Sequence, residues 1–372
     1  MQATFDAFLK SAPSSLAAFI ERTELFSVMM GESAVSWTED QVEQVSENTW
    51  ELGFSSGAGL DAICHVEVVA EYGAVEYQVT LTNTSSERCK PILDLWALSL
   101  TLCGFEGLPK IVSSSGGAYG KLQGYPGREV YWVRTDMPMS RFGPEFSHGP
   151  VDGVSSDQDL PIFLATAGAQ SDAPGLFLGM EWSGLWHAHF KTLNLGQAEE
   201  RTDEKQRYTR FEPGLSLKLG PGVDGLVLEP GESLKLPRVH VGFFEGDIDA
   251  GSNALRRYIA GHLIPPLEGQ ALPQVTYSYW PGNRDPFTED ELCRHMDVSA
   301  ELGIETANVD VAWVRGHHPR SHGNWPEDPD KWPSGIEAFA EHARAKGIGL
   351  GLFIEMEVVA EGTDFWNEKP HL

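Results

Sequence analysis

The segment IETANVDVAW, residues 304–313, decides the fold of the C-terminal part of the sequence. Residues 304–310 are typical of a strand, and this strand ends in the carboxylate of Asp310. Apolar runs on either side of it, at Val275–Trp280 and Ile348–Ile354, have the same character. Helical patterns separate the three runs, so the predicted order is β-α-β-α-β. This order indicates parallel strands joined by right-handed crossovers.

Both intervening helices carry a recognisable start signal. Thr288 with Glu291, and Ser334 with Glu337, have the three-residue spacing of a capping box. A glycine follows each apolar helical pattern and is expected to end the helix. The crossovers are therefore predicted to be helical.

The N-terminal part of the sequence has a different pattern. From about residue 28 to 245 apolar residues recur at every second position, as in Val75, Tyr77, Val79 and Leu81. Turn sequences divide this stretch into many short runs, which predicts a β-sandwich of roughly 240 residues. Residues 249–263 then show helical spacing, and Pro265-Pro266 cannot continue a helix.

Composition excludes several classes of protein. The 27 Lys and Arg residues and 54 Asp and Glu residues give a net charge of −27, which would repel a nucleic-acid backbone. No segment has the ~20 consecutive apolar residues of a membrane span, and no export signal is apparent. The four cysteines lack paired or metal-like spacing, which indicates reduced thiols and a cytoplasmic protein: Cys64, Cys89, Cys103 and Cys293.

Candidate site residues follow the three predicted strands. Trp280 closes the first strand, Asp310 and Trp313 follow the second, and Glu355 and Glu357 follow the third. Parallel α/β barrels place their sites at the carboxyl ends of the strands. The sequence therefore predicts a site at this edge of the sheet.

Several motifs make the sequence resemble glycoside hydrolase family 36, the melibiase-type α-galactosidases, over roughly residues 155–370. The C-terminal motifs occur in collinear order: Tyr279-Trp280 with Phe287-Thr288-Glu289, Val309–Trp313, Gly323-Asn324-Trp325, Lys331–Gly335 and Gly351–Val359. The N-terminal motifs are Ser155-Ser156 ahead of Pro161-Ile162-Phe163, Trp182-Ser183-Gly184 and Leu228–Ser233.

The resemblance implies a multidomain β plus α/β fold. We expect an N-terminal β-supersandwich at 1–247, a connecting helix and linker at 248–272, and the first three βα units of a (β/α)₈ TIM barrel at 273–372. A complete barrel takes ~250 residues, whereas residues 273–372 number only 100. The barrel is therefore predicted to be incomplete within this sequence.

The resemblance also implies retaining hydrolysis of terminal α-galactosides of the raffinose or melibiose type. In the family one Asp attacks the anomeric carbon and a second Asp protonates the leaving oxygen, with the carboxyls about 5–5.5 Å apart. The family's nucleophile follows the fourth strand in a Lys-Trp-Asp motif, so we expect both carboxylates beyond Leu372. No catalytic residue is assigned within this sequence, which alone is expected to be inactive.

Substrate-binding roles are implied for Trp280, Asp310, Trp313 and Trp325. A carboxylate at position 310 can accept hydrogen bonds from two sugar hydroxyls, and tryptophan faces suit the C–H face of a pyranose. A helix cap or salt bridge for Asp310, and core packing for the tryptophans, are the structural alternatives.

Two further groups are open to a functional and a structural interpretation. Glu355 and Glu357 alternate along a strand end, so both cannot face one pocket without a bend. Because the resemblance implies that catalysis lies elsewhere, support of neighbouring side chains is favoured over an acid/base pair. His317, His318 and His322 have spacing that could ligate zinc, but a solvated loop is favoured because the family chemistry needs no metal or other cofactor.

Three readings of function stay open. The first is the α-galactosidase, and the second is a transglycosylase or a glycosidase of altered sugar preference on the same fold. An altered sugar preference is suggested by Val311, which replaces a second Asp of the family motif. The third is a non-catalytic carbohydrate-binding protein, if Leu372 is the true terminus. The expected partner is an oligosaccharide or glycoside, with assembly of copies through the sandwich domain, and neither nucleic acid nor membrane.

Overall fold

The structure is a computed structural model. It describes residues 24–102, 110–115, 134–138, 145–150, 155, 159–166, 175–194, 198–200, 207–209, 213–223, 225–265, 274–279, 287–316, 322–356 and 358–369. The chain forms two compact units, Met1–Ile264 and Pro265–Leu372. Within the described ranges, no helix is both long and apolar enough to cross a lipid bilayer.

The first unit consists mainly of β-strands. The first ten are β1 Ser27–Met30, β2 Ser33–Ala34, β3 Trp37–Ser46, β4 Thr49–Ser56, β5 Leu60–Val69, β6 Ala74–Asn83, β7 Ile92–Trp96, β8 Leu98–Leu102, β9 Lys110–Ser115 and β10 Arg134–Pro138. The next nine are β11 Glu145–His148, β12 Asp159–Thr166, β13 Gly175–Glu181, β14 Trp186–Asn194, β15 Ala198–Glu200, β16 Arg207–Thr209, β17 Pro213–Pro221, β18 Ser233–Lys235 and β19 Arg238–Phe244.

These strands pair in antiparallel sheets. The largest has ten strands in the order β10-β9-β12-β13-β19-β6-β5-β4-β3, with β18 also paired to β6. A four-stranded sheet has the order β11-β14-β17-β8, and a three-stranded sheet the order β2-β1-β7. Strands β15 and β16 form a separate pair. The predicted predominance of strands in this part of the chain is confirmed.

The ten-stranded and four-stranded sheets enclose the main hydrophobic core. Along β5 the residues Leu60, Ala62, Cys64, Val66 and Val68 are buried at every second position, as the pleat of a half-buried strand requires. Phe163 of β12 and Phe190 of β14 meet across the core with ring centroids 4.8 Å apart. The period-two pattern of the sequence thus identifies the face of each strand that packs inward.

A helix covers the opposite face of the ten-stranded sheet. Helix α1, Ile248–Tyr258, begins at Asp247, whose side chain accepts a hydrogen bond from Ala250 N, and it continues into a π-helical turn, Ile259–Leu263. Tyr258 and Phe177 pack in a second cluster on this face. The predicted helix at 249–263 is therefore present, and it lies within the first unit.

The second unit contains a parallel sheet with order β20-β21-β22. Its elements are β20 Thr276–Ser278, α2 Glu289–Glu301, β21 Thr306–Val309, the one-turn 3₁₀ helix Val311–Trp313, α3 Ile336–Ala345, β22 Gly349–Leu352 and α4 Asp364–Glu368. The predicted β-α-β-α-β order with parallel strands is confirmed, although each strand is shorter than predicted.

The starts of the two crossover helices differ from one another. Thr288 caps α2 as predicted, because its side chain accepts from Glu291 N. The predicted capping box of Ser334 with Glu337 is wrong: α3 is preceded by Gly335 and has no side-chain cap from that residue. The Glu327 carboxylate accepts from Ile336 N instead, so a residue outside the helix satisfies its first turn.

Candidate functional site

The carboxyl edge of the parallel sheet brings together the loops that follow its strands. Phe353 N, just after β22, donates to Val309 O at 3.0 Å, and Tyr279 N, just after β20, donates to Asn308 O at 3.0 Å. The backbone pairing therefore extends one residue beyond each of these strands. Side chains that follow the strands share this edge.

Asp310 is the first residue after β21 and is half-buried. The 3₁₀ turn Val311–Trp313 follows at once, and Trp313 N donates to Asp310 O at 3.2 Å. The turn fixes the backbone on which the carboxylate is carried. Asp310 thus lies where the sequence predicted it.

The indole of Trp313 links two strand ends. This side chain is buried, and its Nε1 donates to Phe353 O at 2.9 Å. Because Phe353 follows β22 and Trp313 follows β21, the hydrogen bond connects the two loops. A buried indole with a satisfied N–H is well suited to position its neighbours.

Trp325 joins Trp313 in an aromatic group. The two rings have centroids 6.3 Å apart with planes 23° apart, and His322 lies 6.0 Å from Trp325 at the same interplanar angle. Trp325 is half-buried, whereas His322 is buried. Two of the predicted tryptophans, together with an unpredicted histidine contact, therefore form one cluster.

The segment 322–325 is also connected to the loop after β22. His322 Nε2 lies 2.8 Å from Glu355 Oε2, and Ala360 N donates to His322 O at 2.9 Å. Asn324 Oδ1 accepts from Phe365 N at 3.2 Å. These contacts give Glu355 a partner in this edge, as expected for a supporting carboxylate.

Lys331 and Trp332 stabilise the 3₁₀ turn through hydrogen bonds to its carbonyl groups. Lys331 Nζ donates to Ala312 O at 2.6 Å, and Trp332 Nε1 donates to Trp313 O at 2.8 Å. Both donors are buried, so the two carbonyl groups of the turn are satisfied away from water. The position of Asp310 thus depends on residues some twenty positions later in the chain.

Tyr279, just after the first strand of the parallel sheet, is buried in the core of the second unit. Burial raises the pKa of its phenol well above the usual range, with smaller effects from Tyr277 and Cys293. The phenol therefore stays protonated, and it donates to Leu292 O at 3.3 Å. This residue is a structural support of the site.

Apolar side chains are exposed beside the polar ones. After β22 the edge presents exposed fractions of 43% for Phe353, 47% for Ile354 and 84% for Met356. Contiguous apolar residues of this kind mark surfaces that are covered by other groups.

Not every predicted site residue can be placed. Trp280, Glu357, His317 and His318 lie outside the described residues. Asp310, Trp313 and Trp325 are described, and the structure brings the two tryptophans together beside the turn that carries Asp310.

The sequence reasoning missed the anchoring roles of Lys331 and Trp332 and the pair formed by His322 and Glu355. Both residues belong to the motif Lys331–Gly335. The available signal was a basic residue beside an aromatic one in an otherwise polar loop. Their hydrogen-bond partners lie 19 residues away, which local spacing does not reveal.

Comparison with known proteins supports the resemblance to melibiase-type α-galactosidases. The family model described as Melibiase matches residues 233–372. The α-galactosidase AgaA of Geobacillus stearothermophilus is 23% identical over 222 residues, which is 59% of this chain and 28% of that protein. Mel36A of Lactobacillus acidophilus is 25% identical over 146 residues, or 38% of this chain and 20% of that protein.

Solved structures match over most of this chain. The crystal structure of a GH36 AgaA variant with stachyose has a TM-score of 0.71 and 17% identity, and the match covers 94% of this chain and 48% of that one. The α-galactosidase of Lactobacillus brevis gives a TM-score of 0.66 and 20% identity, with 94% and 46% covered.

The chain is similar to family-36 α-galactosidases, and the Melibiase family model matches its C-terminal part. Its fold corresponds to the N-terminal part of those enzymes, and it spans about half the length of the matched structures. A variant of AgaA has also been solved with raffinose. The carboxyl edge of the parallel sheet in this family-36-like chain lies within the region matched by the family model.

Proposed function

We propose that the chain is the N-terminal part of a glycosidase that removes terminal α-galactosyl groups from oligosaccharides. The observation that carries this proposal is the grouping of Trp313 and Trp325 beside the turn that holds Asp310, at the carboxyl edge of a parallel sheet. The similarity to curated α-galactosidases supports the choice of reaction. Variants of AgaA have been solved with stachyose and with raffinose, and we take these oligosaccharides to indicate the substrate class.

In the proposed division of labour, this chain binds the sugar and a later part of the protein does the chemistry. A carboxylate attacks the anomeric carbon while a carboxylic acid protonates the leaving oxygen. Water then attacks the glycosyl-enzyme, and the second carboxylate takes its proton. We place both carboxylates in sequence that follows Leu372, in the remaining part of a (β/α)₈ barrel.

The proposed binding roles follow from burial. Asp310 is half-buried, so its carboxylate can both reach a sugar hydroxyl and keep part of its support from the protein. Trp325 is also half-buried, and we assign it the role of an aromatic wall. Trp280 lies outside the described residues, and its proposed sugar-binding role rests on its position in the sequence motif alone. Trp313 is buried with its N–H satisfied, so it positions Trp325 and the turn after β21.

Two wider features belong to the same proposal. The first unit is a β-supersandwich through which copies assemble. Cys64, Cys89 and Cys293 are free thiols in the structure, which fits the reducing cytoplasm that we propose as the location.

The whole protein and the 372-residue chain should be assayed separately with p-nitrophenyl α-galactoside and with raffinose. We expect hydrolysis with retention of anomeric configuration by the whole protein and none by the chain alone. Turnover by the chain that survives repurification would contradict the proposed position of the carboxylates. Binding of raffinose without hydrolysis or transfer by the whole protein would favour the carbohydrate-binding alternative.

The specific departure at position 311 favours a second candidate, a glycosidase of altered sugar preference. The family motif has an Asp where this chain has Val311. An aliphatic side chain cannot accept a hydrogen bond from a sugar hydroxyl. The transglycosylase alternative is tested separately, by analysing the products formed in the presence of sucrose. Transfer of the glycosyl group to sucrose indicates a transglycosylase, and transfer to water indicates a hydrolase.

A further inference from the structure

The parallel sheet of the second unit has one face that packs against its helices and an opposite face. Ala307 and Val309 of β21 are buried in the hydrophobic cluster that also contains residues of α2 and α3. Because side chains alternate along a strand, Asn308 lies on the opposite face. Asp310 follows two positions later, where the same alternation brings a side chain to this face.

The face opposite the helices, here called the open face, is made of small and polar residues. Tyr277 of β20 and Leu350 of β22 pack on the helical side, so their neighbours in each strand belong to the open face. Its members are Thr276, Ser278, Thr306, Asn308, Gly349 and Gly351. Parallel strands are usually apolar on both faces, and barrel interiors are filled mainly by bulky branched side chains. The open face therefore departs from the composition of a packed barrel interior.

Asn308 is at the centre of the last row of this face before the carboxyl edge of the sheet. In the register of the strands, its partner on β20 is Ser278 and its partner on β22 is Gly351. Both partners are small, so neither has a side chain long enough to cover the Asn308 amide. The row thus leaves space beside one polar group.

The Asn308 side chain lies across Gly351. A Cβ atom at position 351 would be 1.7 Å from Asn308 Oδ1 and 2.9 Å from Asn308 Cγ. Any residue other than glycine at this position would therefore displace the amide. The observed placement of Asn308 depends on the missing side chain of its neighbour.

The amide of Asn308 has hydrogen-bonding capacity that its surroundings do not use. The residue is half-buried, and its side chain makes no hydrogen bond with the part of the chain that the structure describes. The amide oxygen can accept two hydrogen bonds, and the amide nitrogen can donate two. Polar groups that are removed from water normally have such partners.

We propose that the Asn308 amide binds a hydroxyl group of the terminal galactosyl group, one row beneath the hydroxyls bound by Asp310. This inference rests on the proposed function and adds a second residue that determines sugar specificity. Residues rise ~3.3 Å each along a parallel strand, so positions 308 and 310 are separated by about 6.6 Å. That separation is small enough for one sugar to reach both side chains.

The chemistry of an amide suits this role. A sugar hydroxyl both donates and accepts hydrogen bonds, and an amide can satisfy both functions, whereas a carboxylate only accepts. Val311 has no polar atom in its side chain, so Asn308 supplies a polar contact that position 311 does not. The other candidate occupant of the space beside Asn308 is a side chain from sequence that follows residue 372. In that case Asn308 would affect stability and not the choice of sugar.

The test compares the wild type, Asn308→Ala, Gly351→Ala and the control Thr306→Ala in the whole protein. Thr306 is the matched control, because it lies on the same strand and the same face, one row further from the carboxyl edge. The measurement is kcat/KM for p-nitrophenyl α-galactoside and for its monodeoxy analogues, each of which lacks one hydroxyl of the sugar.

We expect Asn308→Ala and Gly351→Ala to lower kcat/KM for the galactoside by about tenfold or more, because a sugar hydroxyl loses its partner in the pocket. Thr306→Ala should leave kcat/KM unchanged. For the one analogue that lacks the hydroxyl bound by Asn308, the wild type and Asn308→Ala should have the same kcat/KM.

A melting curve for each variant checks that it is folded, and rates are compared per folded molecule. Hydrolysis of the galactoside with no loss in Asn308→Ala, or with the same loss on every analogue, would overturn this inference and leave the proposed hydrolase function intact.

An absence of hydrolysis by the whole protein would instead contradict the proposed function, and the inference is then tested by calorimetry with raffinose. Weaker binding by Asn308→Ala than by the wild type and Thr306→Ala would support the role of the amide. Equal binding by the three proteins, or binding by none, would overturn it.

Discussion

Lys331 shows how a single buried side chain supports the candidate site. Its Nζ donates to Ala312 O at 2.6 Å, inside the turn that follows Asp310. A sequence pattern predicts that Asp310 and Trp313 follow a strand, because the apolar pattern that indicates the strand also indicates where it ends. It does not pair a carbonyl with a donor 19 residues later, because that contact depends on the path of the intervening loop.

Lys331→Met should destabilise the second unit by ~1.5–3 kcal/mol, since a buried carbonyl loses a charged donor. Hydrogen exchange of peptides covering 306–313 would measure this locally. Lys346→Met is the control, because that lysine is 41% exposed and solvent screens its ion pair with Asp297, so its loss should have the smaller effect. Equal effects of the two changes would contradict the anchoring role.

Val311→Asp should increase the selectivity of the whole protein for galactosides. The change restores a carboxylate at a position where the family motif has one, and sites that hydrogen-bond a hydroxyl discriminate far more strongly than apolar linings, which achieve about 1–3 kcal/mol. The measurement is kcat/KM for aryl α-galactoside, α-N-acetylgalactosaminide, α-fucoside and β-arabinopyranoside. Unchanged ratios in the variant, with efficient galactoside hydrolysis by the wild type, would show that position 311 does not set the sugar preference.

At the scale of elements, the helices and strands of the second unit follow closely from their local signals. Thr288 caps α2, and Gly303 and Gly347 follow α2 and α3 in left-handed conformations with φ of 78° and 76°. The start of α3 was mispredicted, because Glu327 rather than Ser334 satisfies the first turn. The sequence of the helix itself gives no signal that a carboxylate outside it, that of Glu327, satisfies its first turn.

The contact between α2 and α3 should depend on pH. The hydrogen bond from Lys346 lowers the pKa of Asp297, burial opposes it, and His342 adds a second favourable contact. Because the pKa is lower in the folded state, the stabilisation is complete above the unfolded value of ~3.9 and is lost as the pH falls through the folded value.

Melting temperatures of the wild type and Asp297→Asn should therefore differ at pH 7 and converge as the pH is lowered from 5 towards 3. Glu341→Gln, a substitution on α3 at a residue that takes no part in these hydrogen bonds or ion pairs, serves as the control. A difference that stays constant over this pH range would argue against the ionised Asp297 as its source.

At the scale of the whole molecule, antiparallel sheets precede the change of pattern near residue 247 and a parallel sheet follows it, while the first unit extends to Ile264. The order of strands in the ten-stranded sheet was not predictable, because β19 lies between β6 and β13, which are distant in sequence. The group of buried, hydrogen-bonded side chains formed by Glu76, His240 and Tyr258 depends on that order. For this reason local sequence patterns do not reveal this group.

We propose that the carboxyl edge of the parallel sheet binds the galactosyl group through Asp310. The most direct measurement is kcat/KM for p-nitrophenyl α-galactoside with the whole protein, comparing the wild type, Asp310→Asn and, as the control, Asp297→Asn. A charged hydrogen bond to substrate contributes ~1.5–3 kcal/mol, so Asp310→Asn should lower kcat/KM by at least about tenfold with little change in melting temperature, while Asp297→Asn should leave kcat/KM unchanged. Unchanged kcat/KM per folded molecule in Asp310→Asn, accompanied by a large loss of stability, would contradict the claim and assign Asp310 a structural role.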